Sequence, residues 1–182
     1  MTVTDTEQDR ELALLTDALR GTMTSVPVAE LDSALADLGW GDMLAEMPDT
    51  AVPLVFRLLG ETGAHAPVLN DVVLHATGLP IAGTAVLPFA GDRRVVWERS
   101  GPTGTAIDED IPLHSVESGE QLDPLALAAG RRALGWWLVG TGRTMLALAR
   151  THALDRTQFG TPVASFQAVR HRLAETFVAI EG

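Results

Sequence analysis

The chain has 182 residues, 46% of them hydrophobic and 20% charged, a balance typical of a folded globular protein. It contains no cysteine, which excludes disulfides, thiolate metal sites and cysteine nucleophiles. Its net charge of −11 repels nucleic-acid backbones, so we expect no nucleic-acid partner, although the basic pair at 131–132 can still hold a phosphate-bearing small molecule.

The N-terminal region, residues 1–77, is predicted to be helical. Segment 1–15 is acidic and lacks the basic stretch and apolar core of a secretory signal. No apolar run approaches the roughly 20 residues of a membrane-spanning helix. We therefore expect a cytoplasmic protein without a membrane span.

Apolar spacing and punctuation predict four helices in this region. The first carries Leu12, Leu15, Ala18 and Leu19, and the second, entered through Pro27, carries Leu31, Leu35 and Leu38. A third helix is predicted over 52–59, where Gly60 and Gly63 are expected to end it. A short fourth helix is expected over 72–77.

The middle region, residues 78–122, changes to a strand-like pattern. Strands are predicted over 81–87 and 94–99, joined by a turn at 90–92, and Ile111 and Leu113 indicate a third. Two or three strands do not make a stable sheet alone. This region must therefore pack on the helices, or it is the remnant of something larger.

The C-terminal region, residues 123–182, predicts a long helical hairpin. Asp123 and Pro124 are a capping acceptor and a first-turn proline for a helix reaching about Leu154. One apolar face of this helix comprises Leu134, Trp137, Leu138, Thr141, Met145, Leu148 and His152. After a turn at 158–162, a second helix carries Phe166, Val169, Leu173, Phe177 and Ile180 on one face. Since this face continues to the last residues, we expect the hairpin to be half of a bundle and to need a partner.

Several patterns favour ordinary structural roles. The glycines at 140 and 142 lack the strand and third glycine of a nucleotide-binding motif, and we expect them to let another helix approach closely. His152 is interpreted as a hydrogen-bonded core histidine. Trp136 and Trp137 are interpreted as core or interface residues.

An acidic run at 108–110 and the nearby His114 are the sequence's one combination suggestive of a metal site. Acidic loop runs are usually solvated, so we expect no metal. The sequence also has no Gly-x-Ser-x-Gly nucleophile elbow.

The remaining pattern is a helix-to-helix corner with Arg156, Gln158 and Phe159, followed by a second amide at Gln167. Arginine and glutamine can clamp a diphosphate or bind adenine edges, and an aromatic ring can cover a flat one. A capped turn with an ion pair between Arg156 and Asp155 explains the same residues equally well.

Segment 150–175 resembles the acyl-CoA dehydrogenase family. It contains the family pattern R-x-Q-F-G-x-x-[I/V]-x-x-[F/H]-Q, followed by H-x-[L/M]-A. The resemblance extends over about 125–181 and, more weakly, over the first eighty residues, through Leu-Gly-Trp at 38–40 and the segment 60–69. That N-terminal version is similar to divergent actinobacterial subunits, which pair with a second, different subunit.

The resemblance implies a mainly α fold of the acyl-CoA dehydrogenase type. An N-terminal helical part, a reduced β segment and a long C-terminal hairpin from a four-helix bundle are expected. It implies FAD as cofactor and an acyl-CoA substrate, with Arg131 near the thioester end. The adenosine side of FAD would be contacted, from the subunit opposite the flavin, by Arg156, Gln158, Phe159, Phe166 and Gln167.

The family's catalytic base is a glutamate, which in most members lies beyond this chain's last residue. In a minority it lies at the position of Gly130, which cannot accept a proton. We therefore expect a shortened acyl-CoA dehydrogenase, or a subunit of one, that is incomplete as a lone chain. Its reaction would be α,β-desaturation of an acyl-CoA thioester in fatty acid or steroid side-chain metabolism. It would act in a homo-oligomer or with a full-length acyl-CoA dehydrogenase subunit. The alternative is a flavin-free scaffold protein that keeps only the dimerising helices.

Overall fold

A computed structural model describes residues 3–91, 93–99, 111–117, 119 and 121–182. This part of the chain is mainly helical with a small strand region, which confirms the predicted fold class. The helices are α1 (Val3–Ser25), α2 (Val28–Asp37), α3 (Trp40–Glu46), α4 (Pro48–Thr62), α5 (Val68–Ala76), α6 (Pro124–Asp155) and α7 (Gln167–Glu181). The strands are β1 (Val86–Ala90), β2 (Arg93–Trp97) and β3 (Leu113–Val116), with β4 (Thr157–Gln158) and β5 (Thr161–Pro162) in a separate hairpin. None of the helices described is both long and apolar enough to cross a bilayer.

Helix α4 continues through Gly60, which was expected to end it, and stops at Gly63 in the left-handed conformation (φ 74°). Gly60 is inside the helix because α6 passes directly over it. A Cβ atom on Gly60 would overlap the carbonyl oxygen of Trp137 and lie 2.6 Å from the amide nitrogen of Thr141. On α6, Gly140 faces the backbone of α4 in the same way. The prediction that the glycine of residue 140 admits another helix is therefore confirmed.

Helix α4 also begins four residues before the predicted start, at Pro48, and contains Pro53. Proline has no amide hydrogen, so Pro53 leaves the carbonyl of Asp49 without its helical donor. Arg132 of α6 donates to this carbonyl at 3.3 Å and pairs with the Asp49 carboxylate at 2.8 Å. Arg132 therefore supports the start of α4 in addition to facing solvent.

The first predicted strand begins only at Val86. The backbone amides before it bond to side chains of α5 instead of a neighbouring strand: Ala82 donates to Asp71 at 2.8 Å and Ala85 donates to Asn70 at 3.2 Å. A strand ladder needs those amides, so the segment stays irregular.

The three-stranded sheet is antiparallel, in the order β1-β2-β3, and Val95 lies opposite both Leu87 and Ser115. Leu87, Val95 and Trp97 are buried and belong to the same core as the helices. The sheet thus packs on the helical part, as its small size requires.

A line of aromatic rings connects the N-terminal helices to the sheet. Trp40 contacts Phe56 edge-on at 6.4 Å, and Phe56 contacts Trp137 at 6.1 Å. Trp137 stacks on Trp97 at 5.9 Å with an interplanar angle of 18°. Both predicted tryptophans of α6 pack against the core, since Trp136 is also half-buried there.

Helix α6 runs from Pro124 to Asp155, in agreement with the prediction, and the Asp123 side chain accepts from the Leu125 amide at 2.8 Å. At 1.5 Å per residue it is about 48 Å long. The residues it buries most deeply are small: Ala126, Gly130, Ala133, Gly140 and Ala153. Small residues allow α4 and α5 to pack close to its axis.

The apolar face predicted on α6 is only partly covered. Leu134, Trp137 and Thr141 are half-buried, whereas Leu138, Met145 and Leu148 are 72%, 65% and 65% exposed. The core role predicted for His152 is wrong, because that residue is exposed. The described residues cover the stripe only where the sheet reaches it.

Helix α7 is attached to α6 mainly by one ion pair. Arg143 donates to both carboxylate oxygens of Glu181, at 2.7 and 2.6 Å. The hydrogen bonds from Arg143 hold the pKa of Glu181 below its ordinary value. Ile180 is half-buried near Gly142, while Phe177 remains 56% exposed.

Candidate cofactor and substrate sites

The corner between α6 and α7 is a small hairpin with its own hydrogen bonds. Arg156 ends α6 by donating its amide to the His152 carbonyl at 2.9 Å. Its own carbonyl accepts from the Val163 amide at 2.8 Å, so the chain returns to its starting point after the turn. Strands β4 and β5 pair within this loop.

The tip of the hairpin is formed by Phe159 and Gly160, both with positive φ (51° and 80°). Two consecutive residues with positive φ are the signature of a type I′ turn. Glycine adopts this conformation freely, but an aromatic residue does so at a cost. Phe159 is nevertheless 92% exposed, and its ring meets only the edge of Phe166 among the aromatic rings described, at 6.3 Å.

Arg156 is exposed and makes no ion pair with any carboxylate in the described ranges, Asp155 included. The structure thus gives no support to the alternative in which Arg156 merely neutralises its own turn. Its guanidinium keeps its donors available for an anion outside this fold.

The two amides of the corner are also exposed. The Gln158 side chain donates to the Thr157 carbonyl at 3.0 Å, and Gln167 lies 3.5 Å from His171 at the start of α7. The turn and the start of α7 therefore meet at one exposed corner, through the contact between Phe159 and Phe166.

Arg131 is not part of that corner. It lies 25 residues before Arg156 on the same helix, which separates the two by about 37 Å along the axis. Arg131 is exposed and lines a cleft between the sheet and the start of α6. One copy of this chain therefore presents its two groups of predicted site residues at opposite ends of α6.

The neighbouring residue, Gly130, is buried beneath the ring of Phe89. A Cβ atom at this position would overlap the ring's Cζ and lie 2.7 Å from its Cε2. A glutamate side chain could fit here only if Phe89 moved away. The absence of a carboxylate at this position is thus built into the packing of β1 on α6.

An apolar cavity of about 490 Å³ lies next to this contact, between the sheet and α6. The stacked rings of Trp97 and Trp137 form part of its wall, with Phe89 at one side. The described residues that line it include no carboxylate and no histidine. The cavity can hold an apolar group but offers no acid or base to it.

The sequence analysis did not identify a buried polar pair at the start of α5. Asp71 accepts from the indole of Trp40 at 2.9 Å, from the Ala82 amide and from Arg99 at 2.5 Å. Asn70 donates to the Trp97 carbonyl at 2.9 Å. An Asn-Asp pair inside an otherwise apolar segment was the available signal. These residues hold the wall of the apolar cavity in place.

The predicted metal-binding combination is only partly visible. Residues 108–110 lie outside the described residues. His114 is buried in β3 opposite Val96, and neither of its ring nitrogens has a hydrogen-bond partner within the described part.

Residues 119–182 match the family model described as "Acyl-CoA dehydrogenase, C-terminal domain". This segment contains α6, the hairpin corner and α7. The chain belongs to the acyl-CoA dehydrogenase family. The identification rests on the part of the chain that carries the predicted FAD-contacting residues.

Two curated relatives match this acyl-CoA dehydrogenase family member over 42 residues. They are the acyl-CoA dehydrogenases IpdE2 of Mycolicibacterium smegmatis, 40% identical, and of Mycobacterium tuberculosis, 43% identical. The matched stretch covers 23% of this chain and only 14% and 13% of those proteins.

The fold is similar to that of a solved variant of the Tcur3481-Tcur3483 steroid ACAD. The TM-score is 0.54 with 17% sequence identity, over 95% of this chain and 74% of the solved one. At this identity the likeness concerns the fold. It extends across the N-terminal helices and the sheet, beyond the segment that the family model matches.

Proposed function

We propose that this chain is a subunit of an FAD-dependent acyl-CoA dehydrogenase that desaturates an acyl-CoA thioester between its α and β carbons. The observation that carries the proposal is the hairpin corner within the matched segment. There Arg156 has no carboxylate partner among the described residues, and Phe159 is held outward at a positive φ. Such a corner has no evident use within its own fold.

The residues of the corner fit the adenosine and diphosphate part of FAD. A free guanidinium suits a diphosphate, the amides of Gln158 and Gln167 suit adenine edges, and the exposed ring of Phe159 suits a flat base. When bound, FAD accepts a hydride from the β-carbon of the substrate. The chain's own contribution at the corner is binding and orientation.

The acyl part of the substrate would enter the apolar cavity beside Trp97 and Trp137. The walls of the cavity exclude water from that part, and Arg131 lies in the adjoining cleft at the start of α6. Because Phe89 fills the space above Gly130, the α-proton acceptor would be supplied by a glutamate of a partner chain.

The partner would be a second copy or a longer acyl-CoA dehydrogenase subunit. Leu138, Met145 and Leu148 on α6, together with Phe177 on α7, form an exposed apolar surface, called here the hairpin face. Burying such a surface favours association. Since the corner and the cavity lie at opposite ends of α6, each corner would serve the flavin of the other subunit.

Flavin retention tests this proposal. The purified full chain is incubated with FAD, free FAD is removed by gel filtration, and visible flavin absorbance is recorded for each oligomeric fraction. Retained flavin in an oligomeric fraction is the expected result. Oligomers that retain no flavin would contradict the proposal and favour the flavin-free scaffold.

A further inference from the structure

A cleft of about 550 Å³ lies between the β1–β2 hairpin and the first turns of α6, on the other side of β1 from the apolar cavity. Two arginines from separate elements, Arg94 of β2 and Arg131 of α6, line it together with Gln121. The rest of its wall is apolar: Val86, Pro88, Leu122, Pro124, Leu127 and Ala128.

The two guanidiniums of this cleft have no ion pair with any carboxylate in the described ranges. The adjacent Arg132, in contrast, is paired with Asp49. The chain as a whole carries a net charge of −11, so carboxylates are abundant. Two like charges facing one cleft repel each other unless an anion lies between them.

The basic surface continues into a second cleft, of about 710 Å³, on the far side of Arg94. Arg93 and Ser115 line it, with Glu117 as its one acidic lining residue among those described. Arg94 is therefore shared between two openings, and three arginines follow one another along this side of the sheet.

We infer that the cleft between Arg94 and Arg131 binds the phosphate-bearing part of an organic molecule. Paired guanidiniums match phosphate oxygens in geometry and neutralise a doubly charged group. The apolar wall indicates that the phosphate is attached to an organic body rather than free. This ligand is distinct from whatever the Arg156 corner holds, because the two arginines of α6 lie about 37 Å apart.

Calorimetric titration of the purified full chain with pyrophosphate, ADP and coenzyme A tests the inference without any flavin or turnover. Binding of both organic ligands, weakened by added salt, is the expected result. Coenzyme A binding without ADP binding identifies the coenzyme A thioester as the source of the phosphate. ADP binding without coenzyme A binding identifies a nucleotide cofactor. No binding of any of the three at millimolar concentration overturns the inference.

Three variants locate the site. Arg131→Gln and Arg94→Gln should each weaken binding about ten- to a hundredfold, the effect of one lost charge-assisted hydrogen bond. Arg150→Gln, an exposed residue of the same helix outside the cleft, is the matched control and should bind like the wild type. Arg131 is exposed, so its variant keeps the fold even if Arg94→Gln does not.

Two outcomes contradict the inference in different ways. If Arg131→Gln binds like the wild type, the ligand lies elsewhere. If Arg150→Gln weakens binding as much as Arg131→Gln, only overall charge is being sensed. Flavin retention by the Arg131→Gln chain is measured in parallel, so that a failure of this site and a failure of the Arg156 corner are told apart.

Discussion

Gly60 and Gly140 meet where α4 crosses α6, and each is placed against the backbone of the other helix. A Cβ atom on Gly140 would overlap the carbonyl oxygen of Arg57 and lie 2.9 Å from the carbon of that carbonyl. Because backbone atoms cannot rotate away as side chains do, any larger residue must push the helices apart. This crossing sets the position of α6, and with it the apolar cavity and the corner.

Replacement of Gly140 by alanine should therefore destabilise the protein by about 1–3 kcal/mol or more, since overpacking against a backbone cannot relax locally. Gly135→Ala is the matched control, because no atom lies within 4 Å of a Cβ there. That control should be neutral or stabilise by about 0.5–1 kcal/mol, the helix preference of alanine over glycine. Denaturant unfolding of both variants measures the difference; equal effects would contradict the close crossing.

The buried carboxylate of Asp71 should be essential to the fold. Asp71→Ala leaves the indole of Trp40 and part of Arg99 without an acceptor, so we expect a loss of about 3–5 kcal/mol. Asp49→Ala removes a carboxylate whose side chain is 89% exposed and should cost about 1 kcal/mol or less. Thermal unfolding distinguishes them, and a mild Asp71→Ala effect would argue against the network.

The pair between Arg143 and Glu181 should make the docking of α7 depend on pH. Hydrogen bonds from Arg143 lower the pKa of Glu181 below its ordinary value of 4.5. A carboxyl group whose pKa is depressed by folding stabilises the folded state above its unfolded pKa, and this stabilisation disappears as the pH falls through the folded pKa. The thermal midpoint of Glu181→Gln should thus be below that of the wild type at pH 7 and equal to it in strong acid.

Glu175→Gln provides the comparison for that measurement. Its partner Arg172 and its own side chain are 82% and 68% exposed, so the variant should match the wild type at every pH. A Glu181→Gln midpoint that stayed low at every pH would indicate a packing defect instead of a lost ion pair.

Substitution of Arg156 should reduce flavin binding without unfolding the helices. If its guanidinium binds a diphosphate, Arg156→Ala loses about 1.5–3 kcal/mol of binding free energy, or about ten- to a hundredfold in affinity. The thermal midpoint should hardly change, because Arg156 forms no ion pair among the described residues. Flavin content after gel filtration is compared with that of Arg150→Ala. A variant that melts early yet keeps its flavin would show that our assignment of the corner is wrong.

The hairpin face should hold an oligomer together. Introduction of two charges, Met145→Glu with Leu148→Glu, should shift the mass measured by light scattering toward the 19.3 kDa of one chain. Leu14→Glu is the control, since Leu14 is 63% exposed on α1, away from the hairpin face. A wild-type chain that is already monomeric and does not bind an apolar dye would contradict this prediction.

Local signals sufficed for the long elements of this protein. Asp123 and Pro124 mark the start of α6, and the recurrence of apolar residues every three or four positions predicts its length, because a helix is decided by neighbours one turn apart. The resemblance of segment 150–175 likewise pointed to the family that the matched segment then identified. The roles of its individual side chains remain predictions.

Tertiary structure decided whatever depends on distant partners. Gly60 has the sequence signature of a helix end, yet it continues α4 because Gly140 lies against it. The amide of Ala82 leaves the predicted strand because Asp71 accepts it, and His152 follows an apolar stripe to a place where nothing among the described residues covers it. Periodicity shows which residues share a face, but only the packing of other elements determines whether that face is buried.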